Sequence, residues 1–196
     1  MTHIENIPHI LENGITHIYS KNANKDYKGI GDGSLINTRH NIKLPNNDLL
    51  GDYIPFYFGT RMPMLLVIQK GYNSVTPKDP ADIVYCVTSV ERVLDCGLEF
   101  IFSDGHAVNG LTSFYEQEEI DGVEEIVDLK AVKVTYWKDE NDNDLKRRME
   151  AEFLVKEDIP PDAIGGFIVY NEAAKARLLS MGVKENIVAV RPNRYF

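Results

Sequence analysis

The sequence predicts an α+β fold, and three observations predict it. Short runs rich in β-branched and aromatic residues recur along the chain, as in "YIPFYF", "DIVYCVTS", "LEFIFSDG", "MEAEFLV" and "AIGGFIVY". Helical segments interrupt these runs without alternating regularly with them. No repeat and no linker divides the 196 residues, so one domain over 1–196 is expected, long enough to bury a core.

The elements follow in order. "NIPHILENGI" reads as a short helix with Asn6 as its cap, Pro8 in its first turn and Gly14 at its end;. Residues 20–34 and "NIKLPNNDLLGDY" are polar, turn-rich connections;. "YIPFYF" is extended, and "MLLVIQKG" reads as a buried strand ended by Gly71;. "DIVYCVTS" reads as a central strand, "VERVLDCG" as a helical turn closed by Gly97, and "LEFIFSDG" as a third strand. The acidic stretch 114–129 reads as two helical pieces broken at Asp121-Gly122. "DENDNDLKRR" is the least ordered-looking internal segment;. "MEAEFLV" and "AIGGFIVY" are strands, "NEAAKARLLSMG" is a helix between Asn171 and Gly182, and "NIVAVRPNRYF" closes the chain as a strand and tail;.

Composition excludes several classes. Hydrophobic residues make up 43% and charged residues 26%, as in ordinary globular proteins;. The formal net charge of -9 argues against a sequence-blind nucleic-acid coat and against an anionic membrane surface, while leaving room for a local basic groove;. Cys86 and Cys96 lack metal spacing and a disulfide framework, which suits a reducing, cytoplasmic compartment;. "MTHIENIPHI" has no basic start and no apolar run, and "MPMLLVI" is too short to cross a bilayer, so no membrane association is expected;. There is no Walker loop, dinucleotide glycine fingerprint, zinc pattern or Gly-x-Ser-x-Gly elbow, and no metal is expected;.

The candidate chemistry centres on "RRMEAEFLV", residues 147–155. As a strand it would carry Met149, Ala151, Phe153 and Val155 on one face, and Glu150, Glu152 and Leu154 on the other. A wet face explains two carboxylates there. So does a catalytic acid in a cleft, since a carboxylate stabilises oxocarbenium charge at a sugar's anomeric carbon. In "FSDGHA", Asp104-Gly105 suits a tight turn. His106 just beyond it becomes a proton acceptor if it faces the same cleft. His3 and Asn6 precede the first helix, where backbone N–H groups offer a polar site for a cofactor amide or phosphate. Arg39 is a surface charge or an anchor for a pyrophosphate or ribose. The aromatic connection 52–64, with Tyr57, is core packing or a stacking surface for nicotinamide or a base;.

Taken in order, "THIENIPHILENGI", "IGDGSLINTRHNIKL", "LGDYIPFYFGTRMPML", "FSDGHA", "VTYWKDENDNDLKRRMEAEFLV" and "VRPNRYF" resemble the DarT family and cover nearly the whole chain. These are toxins of DarTG toxin–antitoxin systems that ADP-ribosylate bases in single-stranded DNA. The resemblance implies an ADP-ribosyltransferase-like fold, a split central β-structure with helices around a NAD+ cleft. It implies NAD+ as co-substrate, single-stranded DNA as acceptor and a macrodomain antitoxin (DarG-like) as partner. It makes Glu152, Arg39 and His106 catalytic, and gives His3, Asn6, Arg39 and Tyr57 to NAD+. His106, Lys146, Arg147, Arg148 and Glu150 go to the DNA side, and 114–149 becomes a substrate-recognition region. A basic rim of Lys146, Arg147, Arg148, Arg61 and Lys70 would offset the acidic net charge. Thymine and guanine both remain open as the acceptor base. A protein-directed transferase using the Glu150-x-Glu152 pair and a non-enzymatic module on the same fold are the competing readings.

Overall fold

The computed structural model describes all residues, 1–196. Its strands are β1 (Thr2–His3), β2 (Tyr53–Tyr57), β3 (Ile83–Val87), β4 (Phe100–Ser103), β5 (Phe114–Glu116), β6 (Glu152–Lys156), β7 (Gly166–Val169) and β8 (Val188–Val190). Its α-helices are α1 (Ile7–Asn13), α2 (Gly33–Arg39), α3 (Pro63–Lys70), α4 (Val90–Asp95), α5 (Val123–Ile126), α6 (Leu145–Met149) and α7 (Glu172–Ser180). The α+β class therefore holds, with the strands in two separate four-stranded sheets. The chain forms two compact units, each discontinuous in sequence. The first is Met1–Asp32, Leu65–Leu98 and Glu157–Phe196; the second is Gly33–Met64 and Glu99–Lys156.

The first unit carries the sheet β1-β3-β7-β8. Its pairs are antiparallel except β7–β8, which are parallel and joined through α7, as a parallel pair requires a crossover;. β3 is internal, as its unbroken apolar run predicts;. α1 and α7 bury Ile7, Ile10, Ala174 and Leu178 with Val84, Cys86, Phe167 and Val169 of the sheet. The Asn171 side chain caps α7 by accepting the Ala174 N–H at 2.8 Å;. Asn6 does not cap α1 with its side chain. Its amide group instead donates to the Lys28 carbonyl at 3.0 Å and accepts the Lys28 N–H at 2.8 Å, which fixes the polar loop that the sequence leaves unstructured.

The expected strand "MLLVIQKG" is the helix α3. A short apolar run cannot be assigned by periodicity alone. The deciding signals are local: Pro63 opens the helix, Leu65 and Ile68 lie three apart and are fully buried, and Gly71 ends it at φ 69°;.

The second unit carries the antiparallel sheet β2-β6-β4-β5. β6 is paired at both edges, between β2 and β4, and the burial of Glu152, Phe153, Leu154 and Val155 shows that both its faces are covered as well. Phe153 packs on Phe100 with ring centroids 4.5 Å apart. Leu154 joins Leu44, Leu50, Tyr53, Ile101 and Ala107. The expected wet face of this strand does not exist. The strand also starts later than its alternation suggests: Met149 ends α6 and Glu150 caps it at φ -92°, ψ 23°. Glu150 and Glu152 therefore do not share a strand face.

Two further expectations change in this unit. The stretch 114–129 opens with β5 before its two helical pieces, a 3-10 turn over Gln117–Gly122 and α5, which meet at Gly122. The segment expected to be least ordered, 139–148, ends in α6 and is organised by charge. Arg148 bonds Asp128 at 3.0 Å, Asp142 at 2.7 Å and Asp144 at 3.2 Å. A polar composition signals disorder only when its charges lack fixed partners.

Candidate active site

Glu152, Arg39, His106, Tyr57 and Glu150 all lie in the second unit. The site grows from the end of β4. Ser103, its last residue, is fully buried, and its hydroxyl donates to the Gly105 carbonyl at 2.7 Å and accepts the Glu152 N–H at 3.1 Å. The turn is thereby tied to the first residue of β6. Beyond the turn, the Ala107 N–H donates to Glu152 Oε1 at 2.9 Å. Arg39, at the end of α2, donates Nη1 to Glu152 Oε2 at 2.8 Å. Each carboxylate oxygen thus has one donor, and the side chain is completely inaccessible to solvent. A buried carboxylate needs such a charged partner. The second guanidinium nitrogen, Arg39 Nη2, is buried with no hydrogen-bond partner in the protein. It is a donor awaiting an acceptor.

His106 stands beside this pair. Its Nε2 is 4.0 Å from Glu152 Oε1, too far for a hydrogen bond;. Burial pushes its pKa down; Glu152 opposes that, and Arg39 and Lys146 add to it. The imidazole is therefore neutral near pH 7 and able to accept a proton. Tyr57 is the cross-strand neighbour of Glu152. Burial, then the charges of Glu152 and Glu150, hold its phenol well above its usual range against the pull of Arg39, so it stays a hydroxyl donor;.

Glu150 is 6% exposed. Burial first, and Glu152 second, push its carboxyl up from 4.5 to about 7 against the opposing charge of Lys146. Between those values the folded chain holds a proton that the unfolded chain has released, so stability falls as pH rises through that window. Glu150→Gln is expected to be more stable than the parent at pH 8, by up to about 3 kcal/mol, and equal to it near pH 4. Thermal melts across that range check this; parallel pH profiles in the two proteins would show that Glu150 is not the group responsible.

Arg147 and Arg148 are not open cations. Arg147 bonds Asp104 at 2.8 Å and Asp144 at 2.7 Å, while Arg148 is shared among three aspartates. Of the expected basic rim, Lys70 belongs to the first unit, as do His3 and Asn6. His3 is buried, and its Nδ1 accepts the Glu5 N–H at 3.2 Å. Both Asn6 side-chain atoms are committed to local bonds. Ser103 and the Ala107 N–H are not singled out from the sequence, and Asp104 is expected only to serve the turn. All three lie within "FSDGHA", where a hydroxyl at a strand end beside a turn was the available signal. No group of three or more His, Cys, Asp or Glu is arranged to hold a metal. No helix is long and apolar enough to cross a membrane.

The family model for "ssDNA thymidine ADP-ribosyltransferase, DarT" matches residues 1–196. The chain belongs to the DarT family. The DNA ADP-ribosyl transferase of Thermus sp. (strain 2.9) is 31% identical, over 98% of this chain and 89% of its own. A DNA ADP-ribosyl transferase–DNA ADP-ribosyl glycohydrolase fusion protein of Thermosipho africanus is 29% identical over all of this chain and 48% of its own. Among solved structures, Thermus sp. 2.9 DarT in complex with ADP-ribosylated ssDNA is similar with a TM-score of 0.85 at 27% identity, covering 100% of this chain and 93% of that one. The same protein in complex with NAD+ gives a TM-score of 0.81 at 27% identity, covering 100% and 94%. The chain thus has the fold of an ADP-ribosyltransferase whose solved relatives hold NAD+ and modified DNA.

Proposed function

We propose that this chain transfers ADP-ribose from NAD+ to a thymine base in single-stranded DNA and releases nicotinamide. One observation carries the reading: in a DarT chain, a fully buried Glu152 is held at both carboxylate oxygens beside an unused guanidinium nitrogen of Arg39. The residues present fit a donor with pyrophosphate and ribose oxygens, because Arg39 Nη2 lacks an acceptor;. In the reaction the bond between the anomeric carbon and nicotinamide breaks, its electron pair leaving with neutral nicotinamide. A bond from that carbon to the base nitrogen forms, and the ring N–H proton of thymine is lost.

Within this scheme Glu152 supplies fixed negative charge for the positive charge that develops at the anomeric carbon. Arg39 orients Glu152 through Nη1 and holds the donor through Nη2. His106, neutral because it is buried, accepts the base proton;. Tyr57 offers its hydroxyl or ring to the donor, and His3 contributes through Nε2, the ring nitrogen not used by Glu5. Asn6 serves indirectly, by shaping the backbone at Lys28. Lys146, which acts electrostatically on both His106 and Glu150, remains a cation for DNA. Residues 114–149 select the substrate, and Glu150 faces the acceptor side. Single-stranded DNA is the sensible acceptor, since base pairing hides the thymine N–H. The protein-directed alternative rests on the Glu150-x-Glu152 pair, of which only Glu152 lies on β6 while Glu150 caps α6.

We also propose a glycohydrolase of macrodomain type as the neutralising partner, by analogy with the Thermosipho fusion. Both cysteines are free, which suits the cytoplasm, where NAD+ and DNA meet;. The deciding experiment incubates the protein with NAD+ and single-stranded oligonucleotides that each lack one base, read by intact mass. One ADP-ribose should be gained by every oligonucleotide except the one without thymine. Loss of the adduct only when guanine is absent would reassign the acceptor. NAD+ consumption with no labelled oligonucleotide would overturn the DNA reading.

A further inference from the structure

We infer that Arg147 is a positioning residue for the catalytic turn and not a contact to DNA phosphate. The inference deepens the reaction proposed above and rests on it. Three contacts from one residue converge on Ser103–Ala107. The Arg147 carbonyl accepts the His106 N–H at 2.9 Å. Its Nη1 donates to Asp104 Oδ1 at 2.8 Å, and the same oxygen accepts the Ser113 N–H at 2.9 Å, which closes the loop that follows. Its side chain also lies directly over Gly105. A Cβ built on Gly105 would stand 2.5 Å from Arg147 Nη1, 2.8 Å from Cγ and 2.9 Å from the carbonyl oxygen.

Glycine is therefore required at 105 by close approach rather than by a positive φ. The remaining charge is spent on Asp144, through Nε at 2.7 Å and Nη2 at 2.9 Å. The guanidinium thus joins the stretch before α6 to the turn after β4. Only 11% of the side chain is exposed, and each nitrogen already donates. Three of the five N–H donors are used in these bonds, and the two aspartates already offset the guanidinium charge, so it presents little net attraction to a phosphate;. Arg147 instead fixes the backbone on both sides of His106, along with the Ala107 N–H that holds Glu152. Displacing such a constellation by about 1 Å costs on the order of 100-fold in rate.

The test compares the parent with Arg147→Ala, Asp104→Asn and Gly105→Ala, using NAD+ and a thymine-containing single-stranded oligonucleotide. Arg147→Ala should lower kcat about 100-fold, with KM for the oligonucleotide within about two-fold and an unchanged dependence of binding on salt. Asp104→Asn, which keeps an acceptor for Ser113 but removes the charge, should lose about 10-fold in kcat. Gly105→Ala should lose as Arg147→Ala does. Combined with Arg147→Ala it should cost much less than the product of the two losses, because both act on one contact.

An NMR titration of His106 needs no turnover. Its pKa is set by burial and by Glu152, Arg39 and Lys146, and Arg147→Ala should raise it toward the usual imidazole value as the turn loosens. A phosphate contact gives the opposite pattern: kcat unchanged, KM raised and a salt slope shallower by about one. That result overturns the inference, as do multiplicative losses in the double variant or an unmoved His106 titration. If Arg147→Ala does not fold, the Asp104→Asn and Gly105→Ala kinetics and titrations decide. If the parent modifies no oligonucleotide, the proposed reaction fails, and the titration alone still judges the role of Arg147.

Discussion

Glu152→Gln is expected to lower kcat for ADP-ribose transfer by about 1,000-fold or more, while the chain stays folded and still binds NAD+. The amide keeps the shape of the side chain and one acceptor, so either the Ala107 N–H or Arg39 Nη1 retains its partner. What it removes is the fixed negative charge, in a site with no water to substitute for it;. The loss should therefore fall on kcat and leave the KM for NAD+ within a few-fold. Single-turnover transfer to a labelled oligonucleotide, with NAD+ binding followed by calorimetry, checks both halves. Transfer near the parent rate would remove Glu152 from the mechanism.

Arg39→Ala is expected to cost both activity and stability, which separates it from the first variant. Its loss leaves the Glu152 carboxylate fully buried with the Ala107 N–H as its one remaining donor. An uncompensated buried charge of this kind costs about 3–5 kcal/mol, or is relieved by protonation. With Nη2 also gone, kcat/KM for NAD+ should fall by about 100-fold or more. Arg39→Lys should restore much of the stability and little of the rate, since a lysine can pair with Glu152 but cannot present a second planar donor. Unchanged kinetics with NAD+ in Arg39→Ala would show that its buried nitrogen serves no ligand.

The elements legible in the sequence were those with local signals. The Asn171 cap and the Gly182 stop bound α7, Gly97 closes α4, and the aromatic and β-branched runs form β2, β3, β4 and β7;. The misreadings share one cause, a local pattern compatible with two states. "MLLVI" suits a buried strand as well as a helix, and burial of Leu65 and Ile68 on one side of α3 chose the helix. The alternation across 149–155 suggested a single strand, but α6 runs on through Met149 and places Glu150 at its end. The acidic run 139–144 looked disordered until Arg147 and Arg148 supplied fixed partners for its aspartates.

The site divides in the same way. The ordered motifs carry the family, and the resemblance they make is what singles out Glu152, Arg39 and His106, since the residues alone leave Arg39 a surface charge or an anchor and His106 a residue beyond a turn. Which oxygen of Glu152 meets Arg39, why its carboxylate is dry, and how Arg147 serves are invisible there. Glu152 and Arg39 are 113 residues apart, and Arg147 and Asp104 are 43 apart. Contacts across such separations come from the register of β2, β6 and β4 and from the turn that leaves β4. Composition and local patterning set the class of the fold and its capped helices, because those depend on each residue and its near neighbours, while the ordered motifs set the family. Burial, pairing of charges and the change of Arg147 from a cation for DNA to a brace for the turn were decided by long-range packing, which alone determines how much water and how many partners each charge keeps.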